Sequence, residues 1–182
     1  MSRTRVSTRW LLVLGALAAV QAVLIIAFGP IGTALALAGP PLYALAAWVS
    51  VLVLAVACHF DLRPGMITLM GLAAAIIAVP FSVLGFLLIP LITLQALAME
   101  LAAFAARRLP TWSRAFLVAL AGQTASFFMS LVVISPENLV PLMILLIVAA
   151  RLVGVVALAI ASTYVARGLR AAGLERSIEG RA

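Results

Sequence analysis

The chain has 182 residues, of which 66% are hydrophobic and only 9% charged, whereas soluble domains carry about 25% charge. Such a surface cannot be made wettable, so the apolar material must face lipid. All 12 basic residues are arginine, which removes a Walker A lysine and Schiff-base chemistry, while one cysteine (Cys58) rules out an internal disulfide and one histidine (His59) argues against a clustered metal site.

No residue is charged between Arg9 and Asp61, between Arg63 and Glu100, or between Arg114 and Glu137. A spanning helix needs about 20 mostly apolar residues. The runs are continuous rather than alternating, which predicts helices and not barrel strands. The first predicted helix covers 10–28; it is long enough to span and reads as retained rather than as a signal segment. It stops at Gly29-Pro30. The apolar stretch 31–38 is too short to span and reads as an interfacial or re-entrant loop, bounded by Gly39-Pro40-Pro41. A second helix is predicted over 41–60, with proline in its first turn. The tight polar turn 61–65 follows, then a third helix over 64–79, broken by Pro80-Phe81-Ser82. The fourth covers 84–106 and ends at Arg107-Arg108. The fifth covers 111–134, the turn Ser135-Pro136-Glu137-Asn138 follows, and the sixth covers 141–166. Residues 167–182 read as a polar, frayed tail.

The predicted fold class is an all-α integral membrane protein, one domain in the form of a bundle of six transmembrane helices. Six spans put both termini on one side, together with every arginine except Arg151. The positive-inside rule makes that side the cytoplasm. The net charge of +7 follows this membrane pattern, so nucleic acid is not expected as a partner.

Candidate functional residues lie within the spans. Arg151 falls about 15 Å into the sixth helix, near the bilayer midplane. An intramembrane arginine faces a bundle interior or a wet cavity, so it either contacts an anionic or carbonyl group of a substrate or serves a structural pair. Gln123, Ser126 and Ser130 share one face of the fifth helix at i, i+3 and i+7. Gln95, Tyr43, Trp48 and Asn138 all fall in the outer half of the predicted bundle. Convergent amides, hydroxyls and aromatics in an apolar bundle are what a small-molecule pocket requires, and Trp48, Gln95, Gln123, Ser126, Asn138 and Arg151 form the expected substrate site. Interhelical hydrogen bonding is the plainer reading of each residue alone. Glu100, a carboxylate within a span, reads as structural rather than catalytic: it pairs with Arg151, bonds a neighbouring helix, is protonated, or faces a partner subunit. Cys58, His59 and Asp61 crowd the inner end of the second helix without the ligand clusters of a metal site.

Enzyme readings fare badly. There is no Gly-x-Ser-x-Gly elbow and no His-Glu-x-x-His motif, and Asp61 as sole aspartate excludes an aspartate pair. Neither catalytic residues nor a cofactor are expected. Small residues recur at four-residue spacing, as in Gly15/Ala19, Ala18/Ala22 and Gly71/Ala75, which lets helices approach closely in lipid.

In this pattern the chain resembles the substrate-binding S components of energy-coupling factor (ECF) vitamin transporters. The resemblance rests on six helices in a chain of this length, the apolar segment 31–39 after the first, and the small-residue face Ala18-Ala19-Val20-Gln21-Ala22. It rests also on Leu62-Arg63-Pro64-Gly65 with Thr68-Leu69-Met70-Gly71-Leu72, and on Leu94-Gln95-Ala96-Leu97-Ala98-Met99-Glu100-Leu101. The most similar subgroup is that for thiamine or its pyrimidine precursor. The resemblance implies a high-affinity binding subunit for a vitamin-like substrate, working with a membrane T component and cytoplasmic ATPases in other chains. It implies that the segment after the first helix caps the pocket, and that Gly15, Ala18, Ala19 and Ala22 meet the T component. Metal-specific members carry a histidine near the start, whereas this chain opens Met1-Ser2-Arg3. The alternative is a membrane scaffold or assembly subunit without a small ligand.

Overall fold

A computed structural model describes residues 8–60, 63–133 and 140–173, and among them there are helices and turns but no strand. The first helix, α1 (Thr8–Ala38), runs straight through Gly29-Pro30. The loop expected over 31–38 is therefore corrected to helix. One proline removes one backbone donor, the one that would meet the Ile26 carbonyl, and the helix continues through it. One turn on, the Thr33 hydroxyl donates back to the Gly29 carbonyl at 3.0 Å. Apart from Thr33, residues 31–38 carry no polar side chain that would favour a loop.

The helix expected over 41–60 is instead a broken column. It consists of α2 (Pro40–Ala46), a 3₁₀ segment (Ala47–Val51) and α3 (Leu52–Ala57). At the junction Val51 takes φ −121° and ψ 11°, outside the helical well. Side chains satisfy the disturbed backbone: Ser50 donates to the Ala47 carbonyl at 2.8 Å, and Gln21 of α1 donates to the Ser50 carbonyl. Hydropathy carries no trace of this break, because Ser50 is a lone small hydroxyl in an otherwise apolar stretch.

Gly65, at φ 88°, turns the chain into α4 (Met66–Ala78), a conformation that costs glycine little. Two 3₁₀ turns, Val79–Phe81 and Gly85–Leu87, lead to α5 (Leu88–Ala105). Then come α6 (Thr111–Val133) and α7 (Pro141–Ala171). α7 continues five residues beyond the predicted 166, so the first part of the expected tail is helical; residues 174–182 lie outside the described residues.

Packing closes the helices into a ring. α1 lies against α4, α4 against α5, α5 against α6, and α6 against α7; α7 meets α2 and α3, and α2 returns to α1. α3 also touches α4, α5 and α6, and Val53 to Ala57 are all buried, so this short helix plugs one half of the ring. The core is built from small and flexible side chains, among them Ala18, Ala22, Met70, Ala74, Ala96, Met99 and Leu158. Close approach is enforced at two crossings. A Cβ on Gly71 would lie 2.5 Å from Ala96 Cβ, and one on Gly122 would lie 2.8 Å from Met99 Sδ. The outside is the apolar part: Leu37 and Val83 are each 85% exposed, while Gln21, Gln95, Gln123 and Arg151 are buried. Four stretches, Leu11–Ala38, Pro40–Ala57, Gly85–Ala105 and Pro141–Ala171, are long and apolar enough to cross a bilayer. The chain is an all-α, multi-pass membrane protein.

Candidate functional site

The polar stripe of α6 faces α7, while apolar residues on the other sides of the two helices, such as Phe116, Phe128, Leu152 and Val156, are exposed. Arg151 projects from α7 onto that stripe and is 5% exposed. Its Nη1 donates to Gln123 Oε1 at 3.0 Å, and its Nη2 donates to the Ser126 carbonyl and to Ser130 Oγ, each at 3.4 Å. Ser130 in turn donates to the Phe127 carbonyl at 2.7 Å. All three acceptors are neutral, and among the described residues no carboxylate pairs with this guanidinium. The Nε of Arg151 and the Nε2 of Gln123 are buried N–H donors without a protein acceptor.

These two side chains border a cleft of about 150 Å³ between α6 and α7. Leu120, Phe127, Phe128, Val148, Leu152 and Val155 supply apolar walls, and exposed Thr124 lies at its edge. The site is a buried cation in an apolar slot with two donors unspent.

The remaining predicted site residues flank it. Gln95 is buried on α5 and donates to the Gly122 carbonyl at 3.3 Å, immediately before Gln123. Trp48 lies in the 3₁₀ break and is half-buried; its Cδ1 is 3.4 Å from where a Cβ on Gly154 would sit, three residues along α7 from Arg151. Tyr43 packs near Phe28, with ring centroids 6.4 Å apart. Ser126 contributes its backbone carbonyl to Arg151, where a hydroxyl contact was expected from the stripe. Asn138 lies outside the described residues.

The expected partner face on α1 divides. Gly15 and Ala19 are exposed, whereas Ala18 and Ala22 are 2% and 1% exposed in the protein's own core. Ala18 and Ala22 are therefore corrected from partner contacts to internal packing. Four-residue spacing places small residues on one stripe, but it does not say which neighbour the stripe meets.

At the arginine-rich end, charged side chains lock the connection between α3 and α4. Glu100 of α5 accepts from Gly65 N at 2.5 Å, Thr68 N at 3.1 Å and Thr68 Oγ1 at 2.5 Å. Its carboxylate thus serves the open N-terminus of α4, where partial positive charge gathers. At the other side of the connection, Arg114 donates to the Cys58 carbonyl at 2.9 Å and Arg170 to the His59 carbonyl at 2.5 Å, just beyond the C-terminus of α3. His59 Nε2 sits 3.2 Å from Ser162 Oγ of α7, a pairing that sequence separation conceals. Burial first, then Arg114, Arg170 and Arg167, lowers the His59 pKa to about 4. Burial pushes the Cys58 thiol up to about 12. Asp61, the third member of this crowd in the sequence, lies outside the described residues.

The geometry defines a helical membrane bundle with a buried cation beside a cleft in its wall. No protein-family model matches the chain. No curated protein matches it either. Among solved structures, the fold is similar to the crystal structure of an S-component of an ECF transporter, with a TM-score of 0.80 at 20% sequence identity, covering 96% of this chain and 90% of that one. At that identity the likeness is one of fold.

Proposed function

We propose that the chain is a substrate-binding membrane subunit of a micronutrient importer, in which separate chains supply a membrane partner and the ATPases. The observation that carries this reading is the ECF S-component-like fold extending over nearly the whole chain, with a buried guanidinium and two unpaired donors set in its wall. An intramembrane cation is costly, and where one persists facing the bundle interior it marks a ligand site or pathway by default. In this reading the protein makes six crossings with both ends cytoplasmic, Arg151 and Gln123 hold the substrate, and Gln95 and Trp48 stand behind them on neighbouring elements. Gly15 and Ala19 remain available on α1 for the T component.

The test is ligand binding by purified protein. Native mass spectrometry identifies any stoichiometric small molecule that co-purifies, and titration measures its affinity. Arg151→Ala and Gln123→Ala are each expected to abolish binding while expression stays normal. Parent-like affinity in both variants overturns the site. Absence of any bound small molecule, with partner chains still captured, favours the scaffold alternative. The narrower resemblance, to the thiamine or thiamine-precursor subgroup, is tested by titrating those two compounds.

A further inference from the structure

The buried side-chain atoms left unpaired at this site are of one kind. Arg151 Nε and Gln123 Nε2 are N–H donors; the acceptor of Gln123, its Oε1, is already taken by Arg151. Ser126 and Ser130 are likewise engaged as acceptors toward Arg151. Neutral partners leave the site with a whole positive charge, since neither amide nor hydroxyl carries compensating charge. Buried donors without acceptors and a buried cation without an anion make the same demand, for an oxygen-rich, negatively charged group. A permanently cationic ligand such as thiamine would place like charge against Arg151.

The walls set the rest of the ligand. They are two phenylalanines and aliphatic side chains, and the space is about 150 Å³. That space seats one benzene-sized ring, in a cleft that is open on the side of Phe128 and Leu152. Resting on the binding-subunit reading above, we infer that the α6–α7 cleft takes a compact organic anion, a carboxylate joined to an apolar group about one six-membered ring in size. The ring lies between Leu120, Phe127, Phe128 and Val155, and the carboxylate reaches the donors of Arg151 and Gln123, which the empty cleft keeps covered, once those side chains turn toward it. An anionic lipid carries the same pair of features, an acidic group on an apolar body. The depth of Arg151, about 15 Å along α7 from its start, favours a free ligand over a headgroup anchored at the interface.

Benzoate, benzamide and benzylamine are isosteric probes of opposite or absent charge. Each is titrated into full-length protein in nanodiscs of phosphatidylcholine, with the thermal midpoint as readout. Benzoate is expected to raise the midpoint, benzamide to raise it less, and benzylamine to leave it unchanged. Gln123→Glu places an internal carboxylate beside Arg151 and so keeps the guanidinium paired and the fold intact. It is expected to weaken benzoate binding at least about tenfold. Repeating the titration with phosphatidylglycerol in the disc separates the two sources. A free-anion site gives the same benzoate shift in both lipids. A lipid site gives a phosphatidylglycerol-dependent midpoint that Gln123→Glu abolishes, together with loss of the benzoate shift. Equal response to benzylamine and benzoate overturns the inference, as does undiminished benzoate binding by Gln123→Glu. If a neutral or cationic ligand co-purifies and needs Arg151, the binding-subunit reading stands and the anion inference fails. If no small molecule of any charge binds, the binding-subunit reading fails with it.

Discussion

His59 and Arg151 occupy opposite electrostatic situations within one bundle. Arg151 keeps its charge among neutral oxygens, whereas His59 is surrounded by Arg114, Arg167 and Arg170 and stays neutral beside Ser162. Because the folded pKa of His59, about 4, lies below its ordinary 6.5, the unfolded chain takes up its proton first. The stability linked to neutral His59 is therefore complete above about pH 6.5 and is lost as pH falls toward about 4. The thermal midpoint in detergent is expected to drop across that window. His59→Gln, which keeps a polar group near Ser162 but cannot titrate, is expected to show a shallower drop. Superimposable pH profiles for parent and variant would remove His59 from this role. The sequence reveals that Arg151 and the 123/126/130 stripe are each out of place in lipid, because helical spacing is a property of one segment. It does not reveal His59–Ser162 or Glu100–Thr68, because those pairs depend on which helices become neighbours.

At the scale of elements, the segments that depart from expectation do so where proline or backbone geometry competes with hydropathy. α1 absorbs Pro30, since one lost hydrogen bond is a smaller penalty than exposing several backbone groups to lipid. The α2–α3 column breaks with no proline at the break and is held there by Gln21 and Ser50. The start of α4 has no capping side chain of its own and relies on Glu100. Glu100→Gln replaces one acceptor with an N–H₂ that faces backbone N–H groups. It is expected to cost about 1–3 kcal/mol, the scale of a charged hydrogen bond. Thr68→Ala, which removes only the hydroxyl donor, is expected to cost less. Chemical denaturation in detergent measures both, and equal stability of Glu100→Gln and parent would show that the carboxylate does not hold α4.

For the whole molecule, the ring of helices gathers charged groups at one end. Glu100, Arg114 and Arg170 all bind backbone around the α3–α4 connection, so that connection, the start of α6 and the end of α7 share one face of the bundle. In the proposed orientation this face is cytoplasmic, as the positive-inside rule expects. Val83, 85% exposed in the turn before α5, and Leu109, 45% exposed after it, provide reporters of sidedness. With a membrane-impermeant maleimide, Val83→Cys is expected to label in intact cells and Leu109→Cys only after permeabilisation. The native Cys58 is 2% exposed with its thiol pKa raised to about 12, so it forms a silent background. Labelling in the reverse order would invert the topology and turn the Arg151 cleft toward the wrong compartment. Membrane class was legible because charge is absent over long runs. The ring order was not, since apolar helix faces look alike in one dimension.

The apolar part of α1, Leu11–Ala38, has 28 residues, and α7 has 31. At 1.5 Å per residue these reach about 42 Å and 46 Å, against a hydrocarbon thickness of about 30 Å. Upright, the ends of both rods lie outside the hydrocarbon in the headgroup layer, where α7 carries Arg167 and Arg170 but α1 carries apolar turns. Lipid that stretches around the protein, or a body that leans, returns those turns to hydrocarbon, and the ratio between the two depends on acyl-chain length. Membrane thickness thereby becomes a control on the protein's posture, acting through its two longest struts without touching the ligand.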